Sequence, residues 1–399
     1  MGLFNWTGIN ADGKKDSGTI DGENLSSVIT QLKARKIQIT DIKEIKTQKK
    51  VRRGKVRSKD LELFSRQLAS LIQSRIQIVK SLDILANQVD NPYFSEVILS
   101  VKKNIEKGNS LAMSFAEYPK VFSPLFINMI NVGEFSGNLD KMLNRLATYI
   151  EGYNALIKRV KSAMIYPIVV FGIAAVLLAL IFIFVIPGFK SIFDSLGKGL
   201  PLPTQILIST SDFIRAYIIY MAIGITGLIF GALKFFSSEK GKRIFEIIRA
   251  RIPIFGDLHK KMVLARFTKT LAILIKSGVT IINALEISGK TAGSYKLEEE
   301  LMPTITNEVS RGKKLDIALQ NSGFFPPMAT NMIGVGEEGG DLGNMLDRVS
   351  DLYDKDVENA TSALLSIMEP LIIVVLGTLI GGIVICLFLP IMKMSSMVG

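Results

Sequence analysis

Three stretches of the chain are apolar without interruption: residues 162–189, 216–233 and 370–392 contain no Asp, Glu, Lys or Arg. A helix rises 1.5 Å per residue, so about 20 apolar residues cross a hydrocarbon layer ~30 Å thick. The first and third stretches exceed that length, and the second, at 18 residues, is near the lower limit. Elsewhere the pattern is amphipathic. Leu61, Phe64, Leu68, Leu71 and Ile72 recur at three- and four-residue steps, as do Phe267, Leu271, Leu274 and Ile275, which predicts helices with one buried face. Asn91-Pro92, Pro119, Pro303 and Pro326-Pro327 break these runs into short helices, and Asp140 to Lys161 predicts one long helix feeding the first apolar stretch. Each amphipathic region, 58–161 and 262–368, is long enough for its own core, and an antiparallel bundle is the natural architecture. Residues 1–45 read differently. Trp6-Thr7-Gly8, Asp12-Gly13 and Gly18 to Gly22 predict short strands and tight turns, followed by a helix near Ser26 to Lys36.

The two amphipathic regions are copies of one unit. Phe64 and Phe267 stand 203 residues apart, and the same offset pairs Leu68 with Leu271, Leu71 with Leu274, Ser74 with Ser277 and Leu82 with Leu285. It slips to 204 at Gly108/Gly312 and Leu111/Leu315, then returns to 203 through Phe122/Phe325, Pro124/Pro327 and Asn-Met-Ile at 128–130 and 331–333. Val132-Gly133-Glu134 pairs with Val335-Gly336-Glu337, Gly137 with Gly340, Leu139 with Leu342 and Arg145 with Arg348. Such a period is a duplicated domain, not a solenoid. Pro167 and Pro187 pair with Pro370 and Pro390, 20 residues apart in each copy, or about 30 Å of helix. A proline at the first turn of a helix loses nothing and one beyond its end stops it, so these prolines are expected to bracket each span.

The formal net charge of +12 is uneven: residues 1–60 hold 14 Lys+Arg and 7 Asp+Glu, and the run at 46–57 includes Arg52 and Arg53. No aromatic residue interrupts that run, so nucleic-acid stacking is not expected, and a solvated basic linker that favours anionic headgroups is. Lys158, Arg159 and Lys161 precede the first span, and Lys234, Lys240, Lys242, Arg243, Arg249 and Arg251 follow the second. The positive-inside rule then puts both bundles in the cytoplasm. The first forty residues have no apolar signal-peptide core, so the chain is expected to start in the cytosol. The expected fold is an all-α membrane protein with two repeated cytoplasmic antiparallel helix bundles, three transmembrane helices and a small N-terminal α+β module. Its expected order is the module at 1–45, a basic linker at 46–57, bundle one at 58–161, span one at 162–189, an external loop at 190–215, span two at 216–233, a connector at 234–261, bundle two at 262–368, span three at 370–392 and an external tail at 393–399. Gly227/Gly231 and Gly377/Gly381 form GxxxG pairs that let span backbones approach closely, within or between chains.

No catalytic constellation stands out. Cys386, the only cysteine, lies in the third span, so no disulfide framework forms within a chain. His259, the only histidine, has no Cys or His near it in sequence, and no zinc site or triad is expected. Ala284 to Thr291 reads ALEISGKT, but the first glycine of a phosphate loop is missing and the segment has helical periodicity. No enzyme activity, cofactor or metal is expected. The repeated Val-Gly-Glu admits two functional readings: a docking surface, or a cation site using Glu134 with Asp140 and Glu337 with Asp341. It also admits a structural one, a helix–helix corner in which glycine ends one helix and the acid sits near the start of the next. The acid-rich run Asp347 to Glu358 reads as a solvated helix face.

Two bundles carrying VGEFSGNLDKML and VGEEGGDLGNML, each followed by a proline-framed span entered at YP and EP, resemble the type II secretion F family, whose members serve secretion systems, type IV pili and competence machines. The resemblance covers nearly the whole chain. The ending LIGGIVICLFLPIMKMSSMVG and the opening WTGINADGKKDSGTIDG look more like the pilus branch. Two positions depart from the pattern: Arg75-Ile76 stands where the family favours Gly-Val, which copy two keeps at Gly278-Val279, and copy one has Ser136-Gly137 where copy two has Gly339-Gly340. The resemblance implies an oligomeric inner-membrane platform that binds a hexameric cytoplasmic extension ATPase, and a retraction ATPase where present. It further implies contact with pilins, inner-membrane alignment proteins and lipid. The candidate interaction residues are Gly133, Glu134, Gly137, Gly336, Glu337 and Gly340 at the corners, the four span prolines, and Arg52 and Arg53. An oligomeric channel or transporter is the rival class, and the absence of Asp, Glu, Lys, Arg and His from the three apolar stretches argues against it.

Overall fold

The computed structural model describes residues 2–9, 15–22, 25–34, 38–45, 54–195, 200–236 and 255–398, with residues 238, 241, 243, 244, 246–248 and 252 between the last two ranges. Arg52 and Arg53 lie outside the described residues. The N-terminal module is an antiparallel sheet of order β2-β1-β3, formed by β1 (Gly2–Ile9), β2 (Lys15–Gly22) and β3 (Gln38–Ile45), with helix α1 (Leu25–Ala34) between β2 and β3. The sequence pattern gave no sign of β3. Thr7 pairs with Asp41 but Gly8 with Ile39, so Thr40 is an inserted bulge residue. A bulge breaks the two-residue alternation by which a strand is recognised.

The first bundle consists of α2 (Ser58–Gln73), α3 (Ile78–Gln88), α4 (Pro92–Glu106), α5 (Leu111–Ala116), α6 (Pro124–Ser136) and the start of α7 (Leu139–Leu180). Local chemistry sets its boundaries. Asn91 Oδ1 accepts the Tyr93 and Phe94 N–H groups at 3.1 and 3.3 Å, with Pro92 at the first helical position. Ser123 caps α6 in the same way ahead of Pro124. The second bundle repeats the plan with α10 (Phe255–Lys276), α11 (Ile281–Ala292), α12 (Met302–Ser310), α13 (Leu315–Asn321), α14 (Pro327–Glu338) and the start of α15 (Leu342–Val398). The ALEISGKT segment lies wholly within α11, where Gly289 packs on Met302 and the Ser288 and Thr291 hydroxyls donate to the Ala284 and Ile287 carbonyls. A buried helix turn cannot wrap a phosphate.

The bundles share one continuous apolar core running from Phe64 and Leu143 to Phe267 and Leu346. Polar contacts cross their junction. Arg145 Nη1 donates to the Lys276 carbonyl at the end of α10 (3.0 Å), Tyr149 Oη and Thr270 Oγ1 are 3.1 Å apart, and the Arg266 guanidinium lies 4.3 Å from the Tyr153 ring centre. The run Asp347 to Glu358 is not simply a solvated face: Asp347 pairs with Lys269 and Lys276, Asp351 with Lys269, and Glu358 with Arg159 of the other bundle.

After α2 the chain turns through Arg75 at φ +58°, the one non-glycine residue at positive φ among those described; Gly278 makes the same turn at φ +83°. A side chain in this left-handed region costs roughly 1–2 kcal/mol, part of which glycine returns as unfolded-state entropy. Arg75→Gly is therefore expected to stabilise bundle one by about 0.5–1 kcal/mol, read as a higher thermal midpoint of the purified protein; an unchanged midpoint would refute this.

Two helical stretches, Leu139–Ile192 and Leu342–Met392, are long and apolar enough to cross a membrane, and α9 (Leu202–Phe236) makes a third, bent by 46° between Leu202–Met221 and Thr226–Phe236. Ile168, Val176, Phe184, Ile219, Ile223, Ile373, Val374 and Ile385 point outward from them, each more than half exposed, as side chains facing lipid must. The prolines do not bracket helices as expected: Pro167 lies within α7, and Pro370 and Pro390 within α15. Each long helix runs unbroken from bundle core to span, since a proline inside a long helix removes only one backbone donor from it. The segment expected as a loop at 190–215 is also largely helical, with α8 (Ile186–Ser195) continuing α7 and α9 starting at Leu202-Pro203, where proline suits the first turn. Among the described residues, nothing outside their own helix backbone lies within 4 Å of where a Cβ would stand on the GxxxG glycines.

Proline leaves its mark on the carbonyls instead. Ahead of Pro187, residues Ile181–Val185 form a π turn in which the Ile186 N–H donates to the Ile181 carbonyl. That frees the Phe182 carbonyl, because the next donor along would be Pro187. Ser211 of α9 donates its hydroxyl there. Pro390 likewise frees the Cys386 carbonyl, and Thr204 of α9 donates to it. The unrepeated helix α9 thus satisfies both repeat-related proline sites from hydroxyls seven residues apart, around a contact of Ile186, Ile208, Ile383 and Leu387. An orphaned carbonyl in hydrocarbon is costly. Thr204→Val with Ser211→Ala is expected to lose about 1–3 kcal/mol of span association, measured by denaturant titration in micelles, whereas Ser209→Ala, whose hydroxyl bonds only its own helix, is expected to change nothing.

Candidate interaction site at the paired helix corners

The Val-Gly-Glu motifs end α6 and α14. Gly133 lies where a Cβ would come within 3.0 Å of the Leu139 Cα and the Met142 Cβ, and one on Gly336 would come within 2.6 Å of the Met345 Cβ and 3.2 Å of the Leu342 Cα. The missing side chain lets each helix lie directly against the next. Gly137 (φ +69°) and Gly340 (φ +70°) then reverse the chain in the left-handed region. In copy two the Asp341 N–H donates back to the Gly336 carbonyl at 2.9 Å, closing the turn.

The glutamates face backward. Glu134 accepts the Leu111 and Ala112 N–H groups at 2.9 and 3.2 Å, and Ser110 Oγ accepts that of Met113 at 3.1 Å, so the first three unpaired donors of α5 are satisfied. Glu337 accepts the Leu315 N–H of α13 with both oxygens, at 3.1 and 2.8 Å. The structural reading placed the acid by the helix that follows; the carboxylate serves the helix that precedes. Sequence spacing could not show this, since the capped N-terminus lies 22 or 23 residues upstream. Asp140 sits in the first turn of α7, and Asp341 Oδ1 accepts from Asn344 at 2.7 Å. Among the described residues no group of three or more His, Cys, Asp or Glu could hold a metal ion. Glu337→Ala leaves a backbone donor of α13 unpaired and is expected to cost about 1–2 kcal/mol, read as lost hydrogen-exchange protection confined to residues 315–321; unchanged protection there would refute the capping role.

The rims of the two corners differ. Phe135, which follows Glu134, is 94% exposed, and Met113 on α5 is 68% exposed. The equivalent of Phe135 is Glu338, paired with Lys314 at 2.7 Å, and the Lys314 ammonium holds that carboxyl below the usual glutamate range. The corners are thus alike in backbone and unlike in surface.

Fold and corners together define a duplicated helical membrane protein. A family described as type II secretion system (T2SS), protein F, matches residues 64–187 and again 267–390, and the N-terminal domain of type II secretion system protein F matches residues 1–43. The paired matches begin at Phe64 and Phe267 and end at Pro187 and Pro390, in the register of the repeat. The chain belongs to the type II secretion system protein F family. It is 33% identical over 402 residues to the type IV pilus assembly protein PilC of Myxococcus xanthus, covering 98% of this chain and 95% of that protein. It is 34% identical to the protein of the same name from Thermus thermophilus over 98% of both chains. With the type II secretion system protein F of Vibrio cholerae it shares 29% identity over the full length of both.

Proposed function

We propose that this protein is the inner-membrane platform of a type IV pilus, or of a related secretion or competence machine, and that it couples a cytoplasmic hexameric ATPase to the movement of pilins into or out of the filament. The observation that carries this reading is mechanical. Two bundles with one shared core continue without a break into two apolar helices, Leu139–Ile192 and Leu342–Met392. Force applied to such a body reaches the membrane through continuous helices rather than flexible linkers. The names of the relatives, which are pilus assembly and type II secretion proteins, support the same reading.

In this arrangement the N-terminal module and both bundles lie in the cytoplasm, while the start of α9 at Leu202 and the C-terminal tail lie outside. The corners and the basic region around Arg52 and Arg53 contact the ATPase, while the outward faces of the spans meet pilin helices, alignment proteins and further copies of the chain. The test is affinity purification after in-cell cross-linking, with deletion of the gene alongside. Recovery of a hexameric pilus or secretion ATPase, with loss of surface filaments or secretion restored in trans, is expected. Recovery of no such motor would overturn the proposal.

A further inference from the structure

We infer that the segment joining α9 to α10 is an interfacial anchor whose isoleucine face lies in the anionic headgroup layer next to the bundles. The segment starts at the end of a span. The Ser238 N–H donates to the Phe235 carbonyl at 3.0 Å, and Ser238 Oγ accepts the Gly241 N–H at 3.1 Å. Gly241 is buried so closely against Phe235 and Phe236 that a Cβ would meet their backbone. Residues 241, 243, 244 and 246–248 are helical, five to twelve residues beyond the end of α9 at Phe236.

Its two faces have different company. Glu246 accepts the Ser294 hydroxyl and the Tyr295 N–H (2.7 Å) of bundle two, while Arg243 pairs with Glu300 at 3.4 Å and lies 5.6 Å from the centre of the Tyr295 ring. That face is docked. Ile244, Ile247 and Ile248 recur at three- and four-residue steps and are 42%, 48% and 49% exposed, followed by Ile252 at 45%. At 100° per residue their centre lies roughly 120° round the helix from Arg243 and Glu246. Water is a poor neighbour for such a stripe, and the end of α9, from which the segment runs, exposes Leu228, Phe230 and Leu233. The charge also fits lipid: the segment from 234 to 251 carries Lys234, Lys240, Lys242, Arg243, Arg249 and Arg251 against Glu239 and Glu246, and Glu246 is spent on bundle two. A basic helix with an apolar face beside a span matches an anionic membrane surface. The anchor would hold bundle two at a fixed depth, since its docked face bonds the start of the π turn at Lys296–Leu301.

The inference rests on reading the apolar helices as spans, not on the assembly role. The test uses the full chain carrying Cys386→Ser and one new cysteine, Ile244→Cys, Ile248→Cys, Ile317→Cys or Val374→Cys, spin-labelled and reconstituted in vesicles with or without phosphatidylglycerol. Collision with oxygen and with a water-soluble nickel chelate is then compared. Labels at 244 and 248 are expected to collide with the chelate several-fold less than the label at 317, and more weakly still when the lipid is anionic. Three results would overturn the anchor: chelate access equal to that at 317, indifference to lipid charge, or shielding with spin–spin broadening that vanishes on dilution with unlabelled protein, which would mean that a second copy covers the face. Chelate access at 374 would instead fail the span reading itself.

Discussion

Phe122→Ala is expected to destabilise the first bundle by about 3–5 kcal/mol. Phe122 is fully buried and meets Phe115 at 4.5 Å, Phe126 at 4.8 Å, Phe64 at 6.2 Å and Phe94 at 6.3 Å between ring centres. These tilted and edge-on contacts add to the burial of a large ring, and α2, α4, α5 and α6 all contribute to the cluster. Its loss leaves a cavity that rigid helices cannot close. Hydrogen exchange measured by mass spectrometry checks this: amides of α2 to α6 are expected to lose protection by orders of magnitude, and those of α14 to lose far less. Uniform protection, or equal loss in both bundles, would contradict it.

The second large effect is expected at a glycine. Gly336→Val puts branched carbons where even a Cβ would stand 2.6 Å from Met345 and 3.2 Å from the Leu342 backbone. Overpacking of this kind costs typically 1–3 kcal/mol, and here the obstructing atoms include main chain, so the upper end is expected. The comparison is Gly377→Val in α15, where among the described residues nothing beyond the helix's own backbone lies within 4 Å. The first variant is expected to melt at a lower temperature in micelles and the second to melt like the parent. Equal melting of the two would refute the close-packing account of the motif.

Much of this was legible in the sequence because both signals, the charge-free stretches and the 203-residue register, follow directly from how helices meet lipid and each other. The copies fill equivalent core sites differently: Phe94 and Phe115 correspond to Leu297 and Leu319, all fully buried. Periodicity survives such exchanges, so the helices could be found while the aromatic cluster could not. Arg75 stood out only against the family pattern, and its positive φ explains why glycine is favoured there. What the pattern misjudged depends on partners distant in sequence. The prolines looked like helix ends because the hydroxyls of Thr204 and Ser211, which serve the carbonyls that Pro390 and Pro187 leave free, cannot be read from local spacing. Glu134 and Glu337 looked tied to the next helix because only the folded bundle brings the earlier N-terminus beside them. The acidic run in α15 looked solvated because its lysine partners lie 71 to 82 residues away.

Two copies of one bundle form a single body through their shared core, and the proposed topology puts that body on one side of a membrane. Cysteine accessibility in intact cells tests it most directly, using Cys386→Ser chains with Met113→Cys in bundle one, Ile317→Cys in bundle two or Leu202→Cys at the start of α9. A maleimide that cannot cross the inner membrane is expected to label position 202 in cells whose outer layers are opened, and to reach 113 and 317 only after the inner membrane is permeabilised. Labelling of either bundle position before permeabilisation would contradict the account.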